Sequence, residues 1–288
     1  MPDIWGAASV LVKLVQYASL LLAVGLVLVQ TLFSDLTAPL RGQMRRQIVG
    51  LAIIGGVATS VGFLLRGAML TGGVEGMVDP EMLGLLWSTS VRDATLYRGV
   101  GAGLILTGLF VPRVGALVSY VGGGLVVWSF AIVGHIPETE QTVVQVLLCV
   151  HLVGVAFWMG VLGPLHGLSR QVLHLERAAQ LGERFGQAAS AAVPLLILAG
   201  IGMAWFVLGD LATLFGTEYG LALLGKIALV ALVLTLAAAN KLRFVPGMLA
   251  GQEQAAKHLV RSIRLEAALI FIVLAITATL TSVLELPH

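Results

Sequence analysis

Long apolar segments alternate with short charged segments along the whole chain. Residues 47–65, 114–134, 141–169, 185–209 and 267–284 contain no Asp, Glu, Lys or Arg. About 20 apolar residues are enough to cross the hydrocarbon core of a bilayer. Because backbone groups in lipid must form their hydrogen bonds within the segment, these stretches predict membrane-spanning α-helices.

The apolar pattern, taken together with its charged boundaries, predicts eight spans. They cover residues 8–33, 48–70, 94–110, 114–133, 143–165, 188–208, 219–242 and 259–281. The first span lacks a basic leader and is longer than the apolar core of a signal peptide, so we expect it to be retained. The predicted fold class is all-α: a polytopic bundle of eight transmembrane helices in the lipid bilayer.

The distribution of charge predicts the orientation of this bundle. The loops after the first, third, fifth and seventh spans carry most of the basic residues, for example Arg45 and Arg177. The opposite ends of the spans carry mostly acidic residues, for example Glu75 and Glu218. By the positive-inside rule the basic loops are cytoplasmic, which places both termini on the outer side.

A weak internal repeat divides the chain. Residues 86–98 align with residues 214–226 at a constant offset, which pairs Arg98 with Lys226. The repeat predicts one transmembrane domain over residues 1–288, built from two similarly oriented four-helix halves at about 1–138 and 139–288. Halves related in this way occur in transporters, where the cargo binds between them.

Composition narrows the function classes further. The 288 residues are 58% hydrophobic and 11% charged, which excludes an ordinary soluble domain. The net charge of +2 is small and its carriers lie at helix ends, which argues against a nucleic-acid partner. The sequence contains no phosphate-binding loop of an ATP-driven pump. We therefore expect a binding or transport protein rather than an enzyme.

Histidine and methionine side chains in or beside the spans are the candidate metal ligands. His151 lies well inside the fifth span, and His135 follows the fourth span on the same side. Met203 lies at a similar depth in the sixth span, and Met69 ends the second span on that side. Imidazole and thioether groups favour copper, Cu(I) in particular. The alternatives are an interhelical hydrogen bond for His151 and apolar packing for the methionines.

An outer loop and one helix face extend this candidate site. Met77, Asp79 and Met82 lie close together in the loop after the second span, where they could collect an ion. Trp158 lies about two turns beyond His151 on the same face of the fifth span. The sequence therefore predicts a route that begins in the outer loop and continues along the fifth span.

Polar side chains in the later spans predict a polar lane toward the inside. Lys226 and Asn240 share a face of the seventh span, and Glu266 is expected beside Asn240. Residues of this kind are costly in lipid unless they have partners, so each is a functional candidate. A structural clamp around Glu266 and an ion relay are equal alternatives. Arg98 and Lys226, near the outer entrance, would repel Cu(I) unless they are paired.

Several segments together resemble a known family. They are HLVGVAFWMG at 151–160, the stretch from Tyr219 to Lys226, AANK at 238–241 with Pro246, RSIRLE at 261–266, Gly134-His135 after the fourth span, and the stretch from Thr89 to Arg98. In this order and spacing the chain resembles the bacterial copper resistance protein CopD family. One departure is Ile136-Pro137 after His135, where the family often has small residues.

The resemblance implies copper handling at the bacterial inner membrane. Copper would be accepted from the periplasm, with a periplasmic copper chaperone as an expected partner, and passed inward. Two rival hypotheses remain. A haem-binding electron-transfer protein or oxidoreductase would use His135 and His151 as axial ligands, although His135 lies about two turns nearer the surface. An assembly partner for other copper proteins would not need His151 as a ligand.

Overall fold

The computed structural model describes residues 4–133, 141–208 and 211–282, and within these ranges all regular structure is helical. The helices are α1 (Ile4–Leu32), α2 (Arg41–Thr71), α3 (Pro80–Trp87), α4 (Ser90–Gly108), α5 (Gly115–Ala131), α6 (Gln141–Ser169), α7 (Leu175–Leu208), α8 (Leu211–Gly216), α9 (Glu218–Ala239), α10 (Val245–Leu249) and α11 (Glu253–Leu280). The predicted all-α class is confirmed.

Each predicted span coincides with one helix: α1, α2, α4, α5, α6, α7, α9 or α11. Among the described residues, six of these helices, all except α4 and α5, are long and apolar enough to cross a membrane. The α4 helix carries Arg92, Asp93 and Arg98, and α5 has only 17 residues. The chain is therefore a multi-pass membrane protein, while the count of eight spans and the orientation remain predictions.

The two ends of the bundle differ in their charged residues. We call the end where α1 begins and α2 ends the acidic end, and the end where α2 and α7 begin the basic end. At the basic end, Asp35 in the loop after α1 forms an ion pair with Arg184 of α7 at 3.0 Å. Its carbonyl oxygen also accepts a hydrogen bond from Arg177 at 2.9 Å. These contacts tie the loop after α1 to α7.

The α1 and α6 helices form the centre of the bundle. The α1 helix packs on α2, α5, α6 and α11, and α6 packs on α1, α5, α7 and α11. They cross at Gly25 and Gly160, where a Cβ atom on Gly25 would lie 3.0 Å from the Cα of Gly160. Only glycine permits this approach, as is common where membrane helices pack closely. The crossing fixes the position of the α6 face that carries the candidate site.

The contacts between helices repeat along the chain. We call α1 to α5 the first part of the chain and α6 to α11 the second part. The α1–α2 and α4–α5 pairs of the first part correspond to the α6–α7 and α9–α11 pairs of the second part. In the first part α2 also packs on α4, whereas the corresponding helices α7 and α9 barely touch. The expected boundary near residue 138 lies outside the described residues, so the division into halves stays a prediction.

Candidate functional site

His151 of α6 forms an interhelical hydrogen bond with α7, which is the alternative to metal binding expected from the sequence. Its Nδ1 atom lies 3.1 Å from the carbonyl oxygen of Leu196. The imidazole also lies against Gly200, where a Cβ atom would stand 3.6 Å from Cε1. Because a carbonyl oxygen only accepts hydrogen bonds, Nδ1 is the protonated nitrogen. In the neutral ring the lone pair is then on Nε2, which is how a metal-binding histidine is usually oriented.

The space around His151 is only partly closed. The imidazole is half-buried, and the neighbouring helices α7 and α9 barely touch each other. Lys226 of α9 is also half-buried and lies close enough to His151 to act on it electrostatically. Within the described ranges Lys226 forms no ion pair. A cation at His151 would therefore bind in the field of a nearby positive charge.

A buried polar cluster lies further along the same face of α6. Trp158, two turns beyond His151, donates a hydrogen bond from Nε1 to Glu266 at 3.2 Å. The other carboxylate oxygen of Glu266 accepts a hydrogen bond from the side-chain amide of Asn240. Glu266 is 2% exposed, so its carboxyl group is removed from solvent. The expected proximity of Asn240 and Glu266 is therefore present, and Trp158 joins them.

The Glu266 carboxyl group has no cationic partner among the described residues. The two cations that could have clamped it are engaged elsewhere: Arg264 donates to His166 at 3.2 Å, and Lys241 donates to Ser190. A buried carboxyl group without a cation must either be protonated or hold a positive ion. The hydrogen bond from Asn240 is one form of the expected clamp, and the missing cation is what a relay would need, so both alternatives stay predictions.

A local change in helix geometry presents Asn240 to the cluster. Residues Asn240–Phe244 form a single π-helical turn directly after α9. Turns of this kind are rare and often occur at functional sites. Oδ1 of Asn240 is buried and has no hydrogen-bond partner within the described residues. An unused amide oxygen beside a carboxyl group can accept a hydrogen bond or coordinate a cation.

The candidate methionines lie in three places. Met203 is half-buried on α7, about one turn beyond Gly200 toward the acidic end. Met69 is 39% exposed and its sulfur accepts a hydrogen bond from Ser9 at 2.9 Å. Met77 and Met82 are half-buried in the short helices at the acidic end. A role for any of them in metal binding stays a prediction.

Asp79, expected to help collect the ion, has a structural role in addition. Its side chain accepts a hydrogen bond from the backbone N–H of Glu81 at 3.0 Å and so caps the start of α3.

His135, the second expected imidazole ligand, lies outside the described residues. Within the described ranges, no group of three or more His, Cys, Asp or Glu side chains converges as a metal centre. His151 is therefore not part of such a group in the described ranges.

Arg98 is held firmly by α5. Its Nε atom donates to Oγ of Ser129 at 3.1 Å, and a terminal nitrogen donates to the Ser129 carbonyl at 3.3 Å. Its guanidinium lies 4.6 Å from the ring centre of Phe130. Asp93, the expected partner, is instead paired with Arg92 at 2.8 Å. Arg98 thus retains an uncompensated charge within the described part of the chain.

The first part of the chain contains a counterpart of the His151 contact. Gln16 of α1 is buried and donates to the carbonyl oxygen of Ala58 at 2.9 Å, beside Gly62. In both contacts the accepting carbonyl lies four residues before the glycine on the neighbouring helix. The sequence alignment missed this correspondence. At this position the first part has the side-chain amide of Gln16, and the second part has the imidazole of His151.

These features define a polytopic helical membrane protein with an imidazole and a carboxyl group inside the bundle. The family model described as copper resistance protein D matches residues 179–280, and the model of the copper resistance protein D-like N-terminal domain matches residues 1–143. The chain therefore belongs to the copper resistance protein D family, which confirms the resemblance and ties the chain to copper handling. No curated protein and no solved structure matches it.

Proposed function

We propose that the protein is a transporter, not an enzyme, and that it carries copper across the inner membrane from the periplasm inward. One observation supports this proposal most strongly. The face of α6 that carries the half-buried imidazole of His151 also carries Trp158, which donates a hydrogen bond to the buried carboxyl group of Glu266, and that group has no cationic partner among the described residues. His151 would accept Cu(I) through Nε2. Glu266 and Asn240 would then offer oxygen atoms about two turns further along.

The chemistry of the two positions suits a cargo that binds and then leaves. Imidazole is a good ligand for Cu(I), whereas oxygen ligands bind it weakly. Lys226 further weakens cation binding at His151 by electrostatic repulsion. A site that must release its ion benefits from such moderate affinity. The inward direction rests on the family resemblance. The basic loops, which the positive-inside rule assigns to the cytoplasm, place the Glu266 end of the route nearer the inner side.

An anaerobic Cu(I) titration against a chromophoric chelator tests this proposal. We expect the purified wild-type protein to bind copper stoichiometrically. His151→Ala should weaken binding by more than about 100-fold, because loss of a second-shell partner alone weakens metal binding about 10- to 100-fold. His174→Ala, in the turn between α6 and α7, is the matched control and should bind like wild type.

Equal affinity in the wild type and in His151→Ala would contradict the proposal. A visible spectrum of the purified protein separates the rival function in the same preparation. A haem absorption band that depends on His151 would favour the electron-transfer protein. Neither copper binding nor a haem band would favour an assembly partner that uses other surfaces.

The nearby cation gives a second prediction about the same site. Lys226→Leu should tighten Cu(I) binding severalfold, because the variant removes the positive charge that acts on His151. The measurement is the same chelator titration, at two salt concentrations. Lys257→Leu removes an exposed cation near the start of α11 and should leave the affinity unchanged. Weaker binding in Lys226→Leu would show that Lys226 supports the site.

A further inference from the structure

A cluster of three cations lies in the first part of the bundle, away from His151. Its members are Lys13 of α1, Arg66 of α2 and Arg98 of α4, and we call it the cation cluster. Gly62, one turn before Arg66, packs against Val12 and Gln16, which lie on either side of Lys13 along α1. Arg98 lies over the Phe130 ring, which packs on Tyr17, one turn beyond Lys13. All three side chains are half-buried. The copper route proposed above uses none of them.

The cluster is held in place by neutral groups. Lys13 donates a hydrogen bond to the carbonyl oxygen of Thr281 beside the end of α11. Arg98 is fixed on Ser129 and Phe130 of α5, and the Phe130 ring packs on Tyr17 with ring centres 4.9 Å apart. These contacts set the positions of Lys13 and Arg98 without neutralising their charges.

Arg66 differs from the other two because it has no hydrogen-bond or ion-pair partner within the described residues. The only ion pairs found in those ranges are Arg92 with Asp93 and Arg184 with Asp35. No carboxylate in them therefore neutralises the cation cluster. Like charges held together away from bulk water repel each other strongly and need a counter-ion.

The depth of the cluster indicates where that counter-ion comes from. At the helical rise per residue, the three residues lie about 8 to 13 Å from the helix ends at the acidic end. The α1 helix is about 44 Å long and a hydrocarbon core is about 30 Å thick, so each end of α1 extends roughly 7 Å into the headgroup region. Long basic side chains span the remaining distance between the helix backbone and the headgroup region.

We propose that the cation cluster binds an anionic phosphate group between α1, α2 and α4. The guanidinium groups of Arg66 and Arg98 match phosphate oxygens in geometry, and Lys13 adds a third charge. The phosphate comes from the headgroup of an anionic lipid or from free inorganic phosphate. The site is independent of copper, because it shares no residue with His151, Trp158 or Glu266.

Thermal unfolding of the copper-free protein in a neutral detergent tests the proposal. Phosphatidylglycerol, phosphatidylcholine or inorganic phosphate is added, with chloride at matched ionic strength as the reference. We expect phosphatidylglycerol or inorganic phosphate to raise the Tm of the wild type, and phosphatidylcholine to leave it unchanged. A response to phosphatidylglycerol alone identifies the lipid as the source. A response to inorganic phosphate identifies the free anion.

Variants at Arg66 make the test specific. Arg66→Gln should lose most of the Tm increase, while its Tm without added anion should equal or exceed that of the wild type, because the substitution relieves repulsion and breaks no described hydrogen bond. Arg66→Lys should keep most of the increase. Arg46→Gln, an exposed position near the other end of the same helix, is the control and should respond like wild type.

Two results would overturn the proposal. One is a Tm increase of equal size in the wild type and in Arg66→Gln. The other is no increase in the wild type with either phosphate source. A fall in the Tm of Arg66→Gln without anion, together with an unchanged response, would assign Arg66 a purely structural role.

Discussion

A Glu266→Gln variant is expected to bind Cu(I) normally at His151 but to transport it at least about tenfold more slowly, a barrier higher by about 1.4 kcal/mol. The reason is that glutamine keeps the shape of the side chain but cannot accept a proton or balance a positive ion. Asn240 can turn its amide so that its unused Oδ1 accepts from the new amide, which keeps the cluster hydrogen-bonded. The fold should therefore survive.

The measurement is copper uptake into liposomes that contain the purified protein, beside the chelator titration of the same preparation. Glu183→Gln removes an exposed carboxylate on α7 and serves as the matched control. Normal uptake in Glu266→Gln would show that the carboxyl group is only a clamp. Loss of binding as well as uptake would instead indicate that Glu266 contributes to the first binding position.

The helical framework could be predicted because it depends on local sequence. Spans in lipid need long apolar segments, and all eight predicted segments are helical. The sixth predicted span begins at 188, whereas α7, the helix that contains it, begins 13 residues earlier at Leu175. The early part of α7 contains charged residues such as Arg177 and Glu183, so an apolar window does not find it. The ion pair of Arg184 with Asp35 anchors this part at the basic end.

The candidate site could be predicted only in part. Burial of ionisable groups pointed to His151 and Glu266, and the expected neighbour Asn240 is present. The hydrogen bond from Trp158 to Glu266 was not predicted, because it depends on how α6 packs on α11. The contact of His151 with Leu196 likewise depends on the packing of α6 on α7. Such contacts between distant segments leave no mark in a single sequence.

The cation cluster could have been predicted and was not. Lys13 and Arg66 lie inside predicted spans, so the rule that selected His151 applies equally to them. Each also stands near a span end, where long basic side chains commonly reach the membrane surface, so the sequence alone does not distinguish them from snorkelling residues. Only the structure shows that the packing of α1, α2 and α4 groups them with Arg98, and that no described carboxylate forms an ion pair with them.

The crossing of α1 and α6 determines whether the site can form at all. Gly160 lies two residues beyond Trp158 on α6, and it contacts the backbone of Gly25 on α1 directly. Backbone atoms cannot move aside as a flexible side chain can. Any side chain at this position must therefore push the two central helices apart, and it would displace the α6 face that carries His151.

Gly160→Val is accordingly expected to destabilise the folded protein by about 3 kcal/mol or more, at the upper end of the range for overpacked cores. The measurements are the yield of monodisperse protein and the Tm in detergent, followed by the chelator titration of any folded fraction. Gly163→Val is the matched control, since Gly163 is exposed on the same helix and a Cβ atom there would meet no other atom within 4 Å. A Gly160→Val protein with normal Tm would contradict the close crossing. Normal stability with lost copper binding would instead place the crossing within the copper route itself.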